Sequence, residues 1–223
     1  MLQMGIYKYN IYRTPNIGIF LKVNDKFLLA PKGLANTKIN KLESFLGVKC
    51  INVSIAHTRL LGPLMAMNNN AIILPRIIDE IELEEFKAIG LDIILLDIKQ
   101  TALGNLIVMN DKGAIVASTI PKDVINMLKD RLGIEVIPMQ LGEYYQVGAM
   151  IVATNNGAAV HPNVTDDDLK VIMDVLKVYA EPSTVNGGVP FLSSGLVANS
   201  NNVVVGGLTT GPELVMLSRA FKV

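Results

Sequence analysis

The sequence predicts an α/β fold in which five copies of one module form a closed ring. The first observation is a repeat, in which an apolar residue, a small residue and an apolar run precede a polar turn. The anchoring small residues, spaced 44, 42, 44 and 45 residues apart, are Gly18, Gly62, Gly104, Gly148 and Ser193. The second observation is that strand and helix signals follow each anchor in the same order. Because a copy of about 44 residues cannot bury a sufficient core alone, the copies must pack on one another. We therefore expect a single domain over residues 1–223.

Each copy begins with a strand, a tight turn and a second strand. The turns are rich in Asn, Asp and Gly, which tolerate the positive φ that two-residue hairpin loops need. The apolar runs that follow the turns are Phe27–Ala30, Ala71–Leu74, Ala114–Ala117, Ala158–Val160 and Val203–Val205. Runs that are apolar throughout are typical of strands covered on both faces.

A helix and a third strand follow in each copy. The residues predicted as helix N-caps are Asn36, Asp79, Thr119, Thr165 and Thr210. Glycines stand where C-terminal caps are expected, at positions 47, 90 and 133. The third strands are predicted at Val48–Ile55, Ile93–Leu96 and Ile134–Pro138.

The fifth copy lacks its third strand, and the first copy is preceded by a spare one. The spare strand is Gly5–Tyr12, whereas the fifth copy ends after its helix with Phe221–Val223. If the spare strand completes the fifth copy, the ring closes and no sheet edge remains exposed.

Composition favours a cytoplasmic protein. No apolar run approaches the ~18 residues that span a bilayer. The segment Met1–Tyr9 lacks the basic stretch and apolar core of a signal peptide. Cys50 is the only cysteine, so no internal disulfide can form, which is usual in a reducing compartment.

The formal net charge is zero, but the charge is unevenly distributed. Residues 1–60 carry nine Lys or Arg against Asp25 and Glu43, a net charge of +7, and the rest of the chain carries −7. Either the basic first module orients the molecule on a polyanionic surface, or these charges are solvated faces of separate modules. A chain whose main partner is bare nucleic acid is more often basic overall, so we expect no DNA binding.

Residues that could support catalysis are few. Cys50 lies in an apolar run typical of a buried strand, where cysteine acts as a small hydrophobic residue. His57 and His161 occupy different positions within their modules, so the repeat does not bring them together. The acidic runs Asp79–Glu85 and Asp166–Asp168 fall in predicted first helical turns, where they meet the positive end of the helix dipole. No phosphate loop or zinc spacing occurs, and we expect no catalytic residue, metal or cofactor.

A rigid ring that presents loops is suited to docking, because scaffolds commonly carry functional residues on loops. Asn105 directly follows the anchor formed by Leu103 and Gly104. Its amide is predicted either to bind a partner or to bond its own backbone at a strand edge.

Several stretches resemble a known family, and they extend in order through nearly the whole chain. The stretches are Ser54–Arg59, Ala102–Asn105, Val147–Gly148, Asn155–Pro162, Ser183–Gly187 and Thr210–Leu214. They resemble the translation initiation factor 6 family of archaea and eukaryotes, whose members bind the large ribosomal subunit and prevent its premature joining with the small one.

The resemblance implies a pentein fold, a five-fold pseudosymmetric α/β propeller. It also implies docking on the inter-subunit side of the large subunit, on a ribosomal protein close to the sarcin–ricin loop. By position, the ribosome-binding residues are Asn105 first, with Leu103 and Gly104 beside it, and then Asn68 and Arg59. Arg59 could equally be a structural bridge between modules. We expect a monomer, with no membrane partner.

The alternative is a pentein-fold enzyme that modifies guanidino groups with a Cys nucleophile, a His and acidic residues. Such enzymes carry the nucleophile late in the chain, and Leu192–Val223 contains neither Cys nor His.

The chain also departs at one position from the ribosome-binding family that it resembles. Pro63 stands where eukaryotic members have a cationic residue. An identical contact at Pro63 is therefore not expected.

Overall fold

The computed structural model describes residues 5–223 as five three-stranded sheets with helices. Residues 1–4, which belong to the predicted domain and to the segment considered as a signal peptide, lie outside the described residues. Each module supplies a first strand, a middle strand and a third strand. The arrangement is a repeated mixed α/β fold.

The first strands are short and lie next to one another. They are β2 (Lys22–Val23), β5 (Ala66–Met67), β8 (Ile107–Met109), β11 (Ile151–Ala153) and β14 (Leu196–Ala198). The middle strands are β3 (Phe27–Pro31), β6 (Ala71–Pro75), β9 (Gly113–Ala117), β12 (Gly157–Val160) and β15 (Asn202–Gly206). The third strands are β1 (Gly5–Tyr9), β4 (Lys49–Val53), β7 (Asp92–Leu96), β10 (Glu135–Met139) and β13 (Tyr179–Pro182).

Every middle strand pairs antiparallel with the first strand and parallel with the third. The hairpins and the buried middle strands predicted from the sequence are confirmed. The spare strand is also confirmed, because β1 pairs in parallel with β15 from Gly5 opposite Asn202 to Tyr9 opposite Gly206.

Long helices connect the middle and third strands. They are α1 (Asn36–Leu46), α2 (Glu80–Lys87), α4 (Lys122–Leu132), α6 (Asp166–Leu176) and α8 (Gly211–Phe221). Buried side chains form five clusters, each between the sheets of two neighbouring modules, and one of them joins the fifth module to the first. The hydrophobic core therefore holds the modules to each other, as the short repeat length requires.

Two of the predicted N-caps are wrong. Asn36 is the first residue of α1, because Ala35 already accepts the first helical hydrogen bonds. Thr119 lies in a turn, and α4 begins only after Pro121, since a residue before proline avoids the helical conformation. Asp79, Thr165 and Thr210 are N-caps as predicted.

The anchors lie just before the first strands, in elements not predicted from the sequence. Four of them lie in short helical turns: a 3-10 turn at Ile17–Ile19, and the short helices α3 (Leu103–Leu106), α5 (Val147–Met150) and α7 (Leu192–Gly195). The turn shape brings backbones of neighbouring modules together. A Cβ on Gly62 would lie 1.8 Å from the Gly18 carbonyl oxygen, which explains why a small residue is needed there.

Candidate functional site

Strand direction gives the structure two unlike faces. The turn face carries the hairpin turns around residues 24–26, 68–70, 110–112, 154–156 and 199–201. The loop face carries the loops 10–16, 54–60, 97–102, 140–146 and 183–191, together with the short helices and the N-termini of the long helices. The Asn-rich turns and Asn105 therefore lie at opposite ends of the structure.

The turn face is closed by a network of hydrogen bonds between modules. Asn69 Nδ2 donates to Asp25 Oδ2 and to Asp111 Oδ2, both at 2.7 Å. Asn155 Nδ2 donates to Asp111 Oδ2 at 2.6 Å. The Ser200 hydroxyl, from the fifth module, donates to Asp25 Oδ2 in the first at 2.9 Å. These side chains are therefore bonded within the protein, whereas the exposed side chains of Asn70 and Asn201 make no hydrogen bond within residues 5–223.

Asn68 belongs to this internal network. Its side chain is buried, its Nδ2 donates to the Asn110 carbonyl at 3.0 Å, and its Oδ1 accepts from the N–H groups of Asn70 and Ala71. Asn24 makes the equivalent bond to the Asn68 carbonyl at 2.9 Å. The structure therefore separates Asn68 from the other predicted binding residues and gives its amide a structural role.

Asn105 lies on α3 at the loop face. It is half-buried, and within residues 5–223 its side-chain amide makes no hydrogen bond to protein. Its neighbours form a mostly apolar groove of about 230 Å³ that includes Pro63, Ala149 and Phe191. A free amide beside an apolar groove supplies both the burial and the directional hydrogen bond that recognition requires.

Leu103 and Gly104 hold Asn105 in place. Leu103 is fully buried, and the Gly104 N–H donates to the Pro63 carbonyl at 2.8 Å. A Cβ on Gly104 would lie 1.9 Å from the Gly62 carbonyl oxygen. Both residues are therefore positioning residues: the side chain of Leu103 is buried, and Gly104 permits the close backbone contact.

Arg59 is exposed at the same face. Its guanidinium lies over the ring of Tyr12, 5.1 Å from the ring centroid. Arg59 follows β4 of the first module, and Tyr12 follows β1, which completes the fifth. Both interpretations of Arg59 are therefore compatible with its position: it bridges two modules through a cation–π contact, and it remains accessible.

The Arg59 loop is held by a buried carboxylate. Ala56 and His57 have φ of 50° and 58°, a left-handed conformation that costs non-glycine residues about 1–2 kcal/mol each. Their N–H groups donate to the two oxygens of Glu82 at 2.7 and 2.8 Å. Burial acts to raise the pKa of Glu82, but hydrogen bonds from Ser54, His57, Ala56 and Asp79 outweigh it and lower that pKa.

Glu213 repeats this arrangement in the fifth module. It accepts hydrogen bonds from the Thr184 hydroxyl at 2.7 Å, the Gly188 N–H at 2.8 Å and the Gly187 N–H at 3.1 Å. Burial acts to raise its pKa, but these bonds and one from the Thr210 N–H lower it to about 2. The loops 54–60 and 183–191 are thus each held by a carboxylate at the third position of a helix, α2 or α8.

Similarity to known proteins identifies the family of this chain. A family model described as eIF-6 family matches residues 6–220. The chain belongs to the eIF-6 family. It is 48% identical to translation initiation factor 6 of Cenarchaeum symbiosum over 219 residues, which cover 98% of this chain and 99% of that protein. It is 45% identical to the factor of Nitrosopumilus maritimus over 219 residues, with the same coverage. It is 35% identical to that of Methanocaldococcus jannaschii over 226 residues, covering 98% of each chain.

The matched relatives of this eIF-6 family chain are named as initiation factors, and none of these names denotes an enzyme. The family match confirms the resemblance identified from the sequence. Among residues 5–223, every helix is too short or too polar to cross a membrane.

In this eIF-6 family member the reactive side chains lie apart from one another. Cys50 is half-buried on β4, and burial, with a smaller effect of Glu43, raises its pKa to about 11. His161 is buried and accepts a hydrogen bond from the Asn163 N–H, whereas His57 is exposed, with Nε2 at 2.8 Å from Asp79 Oδ2. His57, Asp79 and Glu82 are close enough to hold a metal ion, but the oxygens of Glu82 are already engaged by backbone N–H groups.

A cavity of about 60 Å³ is lined by residues of all five modules, and we call it the shared cavity. Its walls are formed by the first strands and by the anchors Gly18, Gly62, Gly148 and Ser193. Neither Cys50 nor either histidine lines it. Lys22 does, and sequence reasoning missed it, although aligning the five copies shows a charge where the others are apolar.

Proposed function

We propose that this eIF-6 family member acts in translation initiation by binding the large ribosomal subunit through its loop face. The bound protein then occupies space that the small subunit needs, and it prevents association sterically. The partner on the large subunit is a ribosomal protein of the inter-subunit face near the sarcin–ricin loop. No chemical step is required.

The choice of face rests on whether the buried and half-buried asparagines bond within the protein. At the turn face the side chains of Asn68, Asn69 and Asn155 are bonded within the protein. At the loop face the Asn105 amide has no partner within residues 5–223 and lies beside an apolar groove. The loop face therefore combines a free half-buried amide with an apolar groove, which supports its choice as the docking surface.

Exposed side chains enlarge this surface. Tyr12, Leu60, Tyr144 and Tyr145 are each between 36% and 45% exposed, and all lie in loops of the loop face. Aromatic side chains with a polar end are common at protein interfaces, because one part is buried and the other keeps a hydrogen bond. A neutral chain can bind by such contacts without neutralising many phosphates.

The contacts between modules support the finer architecture as well. The core cluster between the fifth and first modules, the β1–β15 pairing and the bond from Ser200 to Asp25 are what closure requires. We therefore propose a closed pentein-type ring, forming one monomeric domain that acts in the cytoplasm.

Co-sedimentation with separated ribosomal subunits on sucrose gradients tests the binding proposal. We expect migration with the large subunit alone, and fewer joined ribosomes when the protein is present. Absence of the protein from the large-subunit fraction would refute the proposed function.

The Asn105→Leu variant tests the choice of face. The expected result is weaker binding with an almost unchanged Tm, because the Asn105 amide makes no bond within residues 5–223. The matched control is Asn201→Leu, an exposed asparagine at the turn face, which should bind like the unmodified protein. Equal affinity of Asn105→Leu and the unmodified protein would remove Asn105 from the interface.

A further inference from the structure

One lysine in the first strands is not required by the fold. Counted from the anchor, Lys22 occupies the position that Ala66, Val108, Val152 and Val197 hold in the other modules. All five residues line the shared cavity. Since the repeat fills this position with an apolar side chain four times, the charge is a local departure of the kind that marks functional sites.

The Lys22 ammonium has no compensating charge. Within residues 5–223 it takes part in no ion pair and donates no hydrogen bond to protein. Lys22 is only partly covered, and it lies in the cavity wall, next to the fully buried Leu21. Burial lowers the pKa of Lys22 to about 8. A charge in a cavity wall that only a few waters can solvate is poorly stabilised, so a counter-ion at this place would be stabilising.

The acidic residues Asp25 and Asp111 at the turn face do not supply that counter-ion. Asp25 and Asp111 line a separate small cavity that shares Val23 and Met67 with the shared cavity. Their carboxylates accept hydrogen bonds from Asn69 instead of Lys22. The charge on Lys22 is therefore left for a species that enters from outside.

Size and lining restrict that species. The shared cavity measures about 60 Å³, and about 10–15 Å³ suffices for one water molecule, so a few waters or one monatomic ion can be held. Apart from Lys22 and Ser193, the lining side chains are apolar or absent. The cavity shares Gly18, Gly62 and Ser193 with the groove at the loop face, so the two are neighbours at that end.

We propose that the shared cavity is a binding site for a single halide ion, held by the Lys22 ammonium. A halide needs one cationic donor and tolerates apolar walls, whereas an oxyanion requires several directed donors that this lining does not offer. The carboxylates of Asp25 and Asp111 at the turn face favour entry of an anion from the opposite, loop-face end.

The first test compares thermal unfolding of the full chain in sodium bromide and sodium gluconate at equal ionic strength, since gluconate is too large to enter. We expect a saturable rise in Tm of roughly 2–4 °C in bromide, because a ligand that binds only the native state stabilises it. In Lys22→Met this difference should disappear. Lys26→Met removes an exposed lysine of the same hairpin and should retain it.

Anomalous diffraction from crystals of the unmodified protein grown in bromide provides a second test, which does not depend on the folding of any variant. A bromide peak within hydrogen-bond distance of Lys22 Nζ would support the proposal. Water alone in the cavity at saturating bromide, or an equal bromide effect on Tm in Lys22→Met and the unmodified protein, would overturn it.

Discussion

Replacing Glu213 by Gln tests how the loop face is held in place. The carboxylate is buried at the third position of α8 and accepts hydrogen bonds from Thr184, Gly187 and Gly188. Its pKa falls from 4.5 to about 2 because these bonds outweigh the effect of burial. Each tenfold change in a protonation constant is worth about 1.4 kcal/mol, so the charged form contributes roughly 3 kcal/mol. An amide carries one acceptor oxygen instead of two, and it turns two donors towards N–H groups.

At neutral pH we expect Glu213→Gln to lower the free energy of unfolding by roughly 3 kcal/mol, and Tm by roughly 6–12 °C. The pH dependence has a definite direction, because the pKa is lower in the folded state. The stabilisation is complete above the unfolded-state pKa of 4.5 and is lost as the pH falls towards 2. The variant should lack this part of the acid-induced loss.

Urea unfolding at pH 7, and thermal unfolding between pH 5 and pH 2, measure both effects. The control is Glu80→Gln in the first turn of α2, where the carboxylate is exposed and the change should stay within about 0.5 kcal/mol. If Glu213→Gln matches the unmodified protein at pH 7, or both lose stability in parallel on acidification, the argument from the buried carboxylate is wrong.

Three further substitutions or reactions test other parts of the structure. Gly104→Ala places a Cβ 1.9 Å from the Gly62 carbonyl oxygen, so the free energy of unfolding measured in urea should fall by more than about 3 kcal/mol. The control is Gly211→Ala, which has open space around the new Cβ and should change that free energy little. Asp25→Ala leaves donors of neighbouring turns unpaired and should cost about 1–3 kcal/mol in the same assay; an unchanged midpoint would contradict the network. Cys50, whose pKa is raised to about 11, should react with iodoacetamide at pH 8 far more slowly in the native protein than in urea, and equal rates would contradict its burial.

Much of the fold follows from local pattern. The anchor spacing, the turn chemistry and the continuous apolar runs predicted five hairpins with buried middle strands, and the structure has them. The N-caps at Asp79, Thr165 and Thr210 were predicted for the same reason, because a cap depends on a few neighbouring residues. The N-cap predicted at Thr119 is wrong because Pro121, two residues later, delays the start of the helix.

The candidate site was only partly predictable. Position after the anchor singled out Asn105, and the family resemblance grouped Asn68 with it, although the two lie at opposite faces. An asparagine in a hairpin turn has the same local sequence signal whether its amide meets solvent or the next module. The bonds from Asn68 to Asn110 and from Ser200 to Asp25 span 42 and 175 residues, and no local pattern encodes them.

The sequence by itself determined the module, its five-fold repetition and the family, because periodicity and turn chemistry are properties of short segments. Tertiary structure alone decided which polar groups remain free. Packing the modules side by side bonded the buried and half-buried asparagines of the turn face, left the Asn105 amide free at the loop face, and placed Lys22 in a cavity without a charged partner. The physical reason is that a hydrogen bond or an uncompensated charge depends on what the neighbouring module brings to it.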